Sequence, residues 1–266
     1  MNYFKSTNFS IIWATTTAML FCLLSAPLLV YKAPGFTIPA LIGGLVVWQV
    51  MAIVGITAGV HRYFSHRAFQ TSRFWQWVMA YTSMAALNGP PCIWASDHYT
   101  HHRFSDTKDD PYLKLALRGS TPVRHSASVS HAFLAKKIKE DSLHKKTLQW
   151  HWLFVFSYAL PLLALDLILH WLYPSWAPWT LFFWGFVFPA GLTQLTLRLV
   201  LWTGHLSIGY RNFATKDNSN NCWWMALLAG GEGWHNNHHE YPAAANLRVK
   251  WWEFDPGYAF IRLIQK

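Results

Sequence analysis

Four long stretches of this chain carry no Asp, Glu, Lys or Arg, and they limit what it can become: residues 9–31, 38–58, 74–96 and 177–197. Each approaches or exceeds the ~20 apolar residues that a helix needs to cross the hydrocarbon of a bilayer. A fifth run, residues 152–172, is interrupted only by Asp166 and His170. Hydrocarbon offers no water to pair with backbone N–H and C=O groups, so segments that span it must be helices or closed barrels. The composition agrees: 53% of residues are apolar and only 13% charged, too little charge for an ordinary water-soluble domain. The first run is too long for the core of a secretory leader and lacks a convincing small-residue cleavage site. It reads as a retained anchor.

Nine of the fourteen histidines gather around these runs. They are His61 and His66 in HRYFSH, His98, His101 and His102 in HYTHH, His205 in WTGHLS, and His235, His238 and His239 in HNNHH. Single histidines such as His125, His144 and His170 are read as ordinary surface or core residues. The clusters are different, because i, i+3 and i+4 lie on one face of a helix and let imidazoles converge. His61 and His66 are five apart, roughly 140° around an α-helix, and need a helix end or a metal between helices to cooperate. Nine imidazoles exceed what one metal uses; they suit two ions with about four or five nitrogen ligands each. Ligand type alone leaves zinc, copper, iron and nickel open.

A shared site constrains the topology. If residues 74–96 crossed the membrane, His61 and His66 would be separated from His98, His101 and His102 by a bilayer. Asn88, Gly89, Pro90 and Pro91 break that run near its end, as expected of a helix in the interface. The expected fold is therefore an all-α membrane protein, a single domain over residues 1–266. Four transmembrane helices are placed at about 9–31, 38–58, 152–172 and 177–201, with an interfacial helix at about 74–95. A helical cap holds the two-metal histidine site. On this arrangement 20 of the 22 Lys and Arg lie on the histidine side, leaving only Lys32 and Arg198. That asymmetry is the positive-inside signature, so both termini and the site are expected to be cytoplasmic. The net charge of +10 then reflects orientation and attraction to anionic headgroups. No nucleic-acid-binding motif accompanies it, so no nucleic acid partner is expected.

Other chemistries lack their residues. Cys22, Cys92 and Cys222 form no C-x-x-C pair, and no H-E-x-x-H motif is present. A carboxylate-bridged di-iron bundle needs several inward glutamates. This chain has four, Glu140, Glu232, Glu240 and Glu253, of which only Glu232 makes an E-x-x-H match, with His235.

HRYFSHRAF, DHYTHHRFSDT and GEGWHNNHHEYP, followed by WWEFDP, resemble the membrane fatty-acyl desaturases of the stearoyl-CoA type. The matching motifs cover about residues 55–112 and 200–262, in the same order and spacing. The resemblance implies four transmembrane helices beneath a cytoplasmic cap that holds a non-haem di-iron centre, with His61, His66, His98, His101, His102, His205, His235, His238 and His239 as its ligands. Four residues before the lone His205 the family usually has Asn, holding a water on one metal; here the residue is Leu201.

The reaction implied is removal of two hydrogens from a saturated acyl chain, usually at the ninth carbon, with molecular oxygen reduced to water. An unactivated methylene has no acidic proton, so the cofactor supplies the chemistry, and no catalytic residue is expected beyond the ligands. A narrow apolar tunnel would select the carbon, with Trp94 and Trp234 as candidate substrate-binding residues. With no dinucleotide fingerprint, the chain needs an external electron donor such as a ferredoxin, a flavoprotein chain or a cytochrome b5. The acyl carrier is CoA or phospholipid, with a slight lean to CoA. The related alternative is a histidine-rich di-iron hydroxylase or ketolase acting on a fatty, alkyl or terpenoid chain.

Overall fold

The computed structural model describes residues 34–112, 124–206 and 208–266. The span expected at about 9–31 lies outside them. Among the described residues the chain is helical, with extended pairing limited to isolated bridges of Thr71 with Gln265 and of Asn221 with Tyr210 and Trp234.

Three helices are long and apolar enough to cross a membrane: α1 (Ile38–Ser65), α6 (His151–Leu172) and α7 (Thr180–His205). They correspond to the runs expected at about 38–58, 152–172 and 177–201. Helix α1 begins at Thr37, whose hydroxyl accepts from the Ala40 amide at 3.2 Å, with proline in the first turn where its missing N–H costs nothing. Its first half exposes Ile42, Val46 and Val50. Helix α6 exposes Leu153, Phe156, Leu160, Leu165, Leu167 and Ile168. Only 17% of its most apolar window is buried, and surface of that kind on a 22-residue helix is stable only against hydrocarbon.

Asp166, the charge that interrupts the α6 run, is fully buried. It accepts from the Trp176 indole at 3.0 Å and from the amides of Leu181 and Phe182 at 2.9 and 2.7 Å. The last two are first-turn donors of α7 that have no partner within the helix. Asp166 is thus the clasp that folds α6 and α7 into a hairpin.

Helix α2 (Arg73–Ala85) packs closely against α1. The approach depends on Gly55: a Cβ there would stand 2.8 Å from the Ser83 amide nitrogen. The single interfacial helix expected at about 74–95 is instead two elements. Helix α2 ends at Ala85, and α3 (Pro91–Phe104) starts afresh with proline in its first turn. Leu87 and Gly89 between them adopt positive φ (59° and 75°), which ends α2 several residues before the prolines.

The remaining helices are α4 (Arg124–Glu140), α5 (Ser142–Gln149), α8 (Trp223–Leu228), α9 (His235–Glu240) and α10 (Pro256–Ile264). A buried cluster of Ala58, Phe64, Phe69, Met79, Ala80, Leu143, Ile261 and Ile264 ties α1, α2, α5 and α10 together. It packs these helices around the histidine-bearing end of α1.

Candidate metal centre

The nine clustered histidines meet in two adjoining groups. His61, His66, His98, His102 and His238 form one, and His101, His205, His235 and His239 the other. Within each group the ligand atoms all lie within 4.8 Å of one another. The groups abut where the His102 and His239 rings stand 4.5 Å apart.

Helix geometry distributes the ligands. On α3, His98 and His102 (i, i+4) serve one group and His101 faces the other. On α9 the pattern is reversed: His235 and His239 share the four-histidine group and His238 joins the five. Each short helix therefore bridges both groups instead of sending three rings to one.

His61 and His66 needed a different device. The second half of α1, Met51–Ser65, is a π-helix, in which each amide bonds to the carbonyl five residues back. That winding continues to His66, whose amide donates to the His61 carbonyl at 3.3 Å. Residues five apart come round toward one face, and the two rings sit 5.2 Å apart. The buried Lys137 ammonium donates to the Phe64 carbonyl at 2.8 Å, a cation where the helix end is negative.

The donor set fits cations. Nε2 of His61 lies 2.9 Å from Nε2 of His238, that of His102 lies 2.8 Å from the same atom, and His205 and His235 oppose each other at 2.9 Å. Four of these rings turn Nδ1 to a carboxylate: His101 to Asp110 (3.0 Å), His239 to Asp217 (2.5 Å), His205 to Asp106 (3.1 Å), and His61 to Glu232. The first two contacts are aligned hydrogen bonds; those of His205 and His61 are close but off line. A neutral imidazole that gives its proton at Nδ1 has only a lone pair at Nε2. The Nε2 atoms of His101 and His239 are buried with no hydrogen-bond partner. Lone pairs converging at such distances repel unless an ion lies among them.

Protonation agrees with this reading. Burial first, and then the neighbouring imidazoles, push His98, His102, His235 and His238 well below their ordinary value. His66 falls to about 2 and His239 to about 4, although Asp217 pulls the latter upward. Burial alone would raise the Asp110 and Asp217 carboxyls. The hydrogen bonds they accept, first from His101 and His239, hold both below the usual carboxylate range. These six rings are unprotonated at neutral pH, as ligation requires.

Motif residues other than the histidines brace the rings. Arg62, 1% exposed, donates to Asp255 and the Ala245 carbonyl at 2.8 Å each and to Glu232 at 3.3 Å. Glu232, the weak E-x-x-H match, therefore belongs to neither ligand group and orients His61 from behind. Asn236 accepts from the amides of Asn212 and Phe213 at 2.8 and 2.9 Å, and Asn237 donates to Glu253 at 2.9 Å. These bonds hold α9 with its histidines inward. The two asparagines interleaved in HNNHH were the available signal for this bracing; Asp106, Asp110 and Asp217 gave none.

Trp94 stacks on His98, with centroids 4.7 Å apart and planes at 24°. Trp234 is 2% exposed and donates to the Phe254 carbonyl at 2.9 Å, packing into the WWEFDP segment. Leu201, one turn before His205, is half-buried. Gly204 lies under the His235 ring, and a Cβ there would stand 2.6 Å from Cδ2. Gly204→Ala should weaken metal binding roughly 10–100-fold, the scale on which misdirected ligands act. Metal-to-protein ratios against a graded chelator check this; unchanged retention would mean that α9 yields freely.

The sequence matches known proteins over nearly its whole length. The family described as fatty acid desaturase matches residues 36–262. An sn-1 stearoyl-lipid 9-desaturase of Anabaena variabilis is 32% identical over 100% of this chain and 94% of its own length. A delta-9 acyl-lipid desaturase of Arabidopsis thaliana is 28% identical over 86% of this chain and 73% of its own. An acyl-CoA 5-desaturase of Anemone leveillei is 28% identical over 83% of this chain and 67% of its own. With the paired histidine groups and the membrane-length helices, these matches show that the chain is an oxidoreductase belonging to the fatty acid desaturase family.

Proposed function

We propose that the protein introduces a double bond at the ninth carbon of a saturated long-chain acyl group esterified to a membrane lipid. The observation that carries this reading is the junction of two imidazole groups, nine rings in all, beside membrane-length helices. Two iron ions would be held there, one by His61, His66, His98, His102 and His238, the other by His101, His205, His235 and His239. When bound, iron supplies the oxygen-dependent abstraction of hydrogen that no side chain can perform. The chain's own part is to hold unprotonated rings in place, to fix them with carboxylates from behind, and to exclude water with a buried cap. Trp94, flat against His98, would flank an acyl chain reaching that group, and the bond of Trp234 to Phe254 would steady the WWEFDP segment.

In this reading the segment at about 9–31 is a fourth span, and both termini and the histidines face the cytoplasm, where Lys and Arg concentrate. A separate ferredoxin, flavoprotein chain or cytochrome b5 delivers the two electrons of each turnover. The names of the cyanobacterial relative and the Arabidopsis one support a lipid-bound substrate over the CoA thioester to which the sequence leaned. Membranes containing the protein and a reductant system, given labelled stearoyl phospholipid or labelled stearoyl-CoA with exchange between pools blocked, test the choice. Prompt desaturation of the phospholipid is expected; desaturation of the thioester alone would overturn the carrier assignment.

A further inference from the structure

We infer that the two histidine groups are unequal by construction, and that the four-histidine group holds its ion more tightly than the five-histidine group despite having one ring fewer. This rests on the two-ion reading above and concerns what stands behind the rings.

In the four-histidine group, three rings turn Nδ1 to a carboxylate: His101 to Asp110, His205 to Asp106 and His239 to Asp217. Among the described residues, only His235 of this group lacks one, and in the five-histidine group a single ring, His61, is backed, by Glu232. A carboxylate behind a ligating imidazole fixes its tautomer and orientation and raises its basicity, and loss of such a partner typically costs about 10–100-fold in metal affinity.

Charge separates the groups further. Glu232 shares its charge with the buried Arg62, which also pairs with Asp255. Asp106, Asp110 and Asp217 have no Lys or Arg within ion-pair distance among the described residues; their only ion-pair partners there are the histidines. Their remaining contacts are neutral donors. Asp106 accepts from the Asn218 amide at 2.6 Å, Asp110 from the amides of Tyr112 and Asp106 at 2.8 and 3.1 Å, and Asp217 from the Ser219 amide at 3.0 Å and the Thr215 hydroxyl at 2.9 Å. Three carboxylates, largely buried and paired with no basic side chain among the described residues, surround four imidazoles. A cation among the rings is the partner they lack. Asp106, Asp110 and Asp217 are positioning residues for one ion, and Glu232, already shared with Arg62, is the weaker counterpart for the other.

The test uses purified full-length protein loaded anaerobically with iron(II) and dialysed against increasing chelator, with iron per chain as the readout. Wild type is expected to bind two ions and to release them in two steps separated by at least tenfold in chelator. His98→Ala, which cripples the five-histidine group, should keep one tightly held ion; His205→Ala should keep one held at least tenfold more weakly. In the otherwise intact chain, Asp217→Asn and Asp106→Asn should each shift only the tight step, and Glu232→Gln only the weak one. General loosening of the fold would move both steps together, so the Asn variants decide the matter even if His205→Ala fails to fold. Release of both ions at one chelator concentration, equal retention by the two histidine variants, or movement of the weak step in Asp217→Asn would overturn the inference alone. Saturation below two ions per chain would overturn the two-ion reading and this inference with it.

Discussion

Replacing any one of His98, His102, His235 or His239 by Ala is expected to reduce acyl desaturation to background while leaving the protein in the membrane. The four occupy the two i, i+4 pairs from which the groups are built, one on α3 and one on α9. Loss of a ligand from either group removes one of only four or five nitrogens and leaves a cavity that water can enter. Oxygen chemistry at such a centre depends on both ions and on exclusion of water, so the loss is not graded. Membrane insertion depends on α1, α6 and α7, whose apolar surfaces do not involve these rings. Immunoblots of the membrane fraction, set beside the fatty acid content of the same cells, check both halves. A variant with wild-type abundance and wild-type product would contradict the ligand assignment for that residue.

The second large effect is expected at Arg62. Its guanidinium is buried among Asp255, Glu232 and the Ala245 carbonyl, joining α1 to α10 and to the loop before α9. Arg62→Met removes the cation and strands two carboxylates whose side chains are 2% and 9% exposed. Breaking a buried ion pair from one side costs about 3–5 kcal/mol, because the remaining charge is left without a partner. For a domain of this size that corresponds to a fall of roughly 10 °C in unfolding temperature. Arg62→Lys keeps the charge but not the planar fork that reaches Asp255 and Glu232 together, so it should fall between. Thermal unfolding of the detergent-solubilised protein measures all three. A melting temperature for Arg62→Met within a degree or two of wild type would show that the clamp is dispensable.

Much of the architecture is legible in the amino-acid sequence. The apolar runs at 38–58, 152–172 and 177–201 mark helices because hydrocarbon leaves a spanning backbone no other solution, and the nine histidines stand out because imidazoles in i, i+4 pairs have few other uses. What could not be read depends on contacts distant in sequence or on non-standard winding. An α-helix puts His61 and His66 roughly 140° apart; only the π geometry of Met51–Ser65 removes the difficulty, and no residue pattern announced it. The early end of α2 follows from positive φ at Leu87, a choice local propensity does not make. Asp217 and Glu232 reach His239 and His61 across 22 and 171 positions of chain, and acidic residues in loops ordinarily signify nothing beyond solubility. Asp166, which looked like a flaw in a span, is the clasp of a hairpin.

The central claim is that nine imidazoles in two groups make this chain a desaturase of lipid acyl chains. Its most direct test is the acyl composition of membrane lipids from a host without its own desaturase, supplied with a compatible electron donor and expressing either the intact chain or its His235→Ala variant. The account predicts monounsaturated acyl chains with the double bond at the ninth carbon in the first case and none in the second. Hydroxylated or keto acyl chains without new double bonds, or equal unsaturation with His235→Ala, would contradict it.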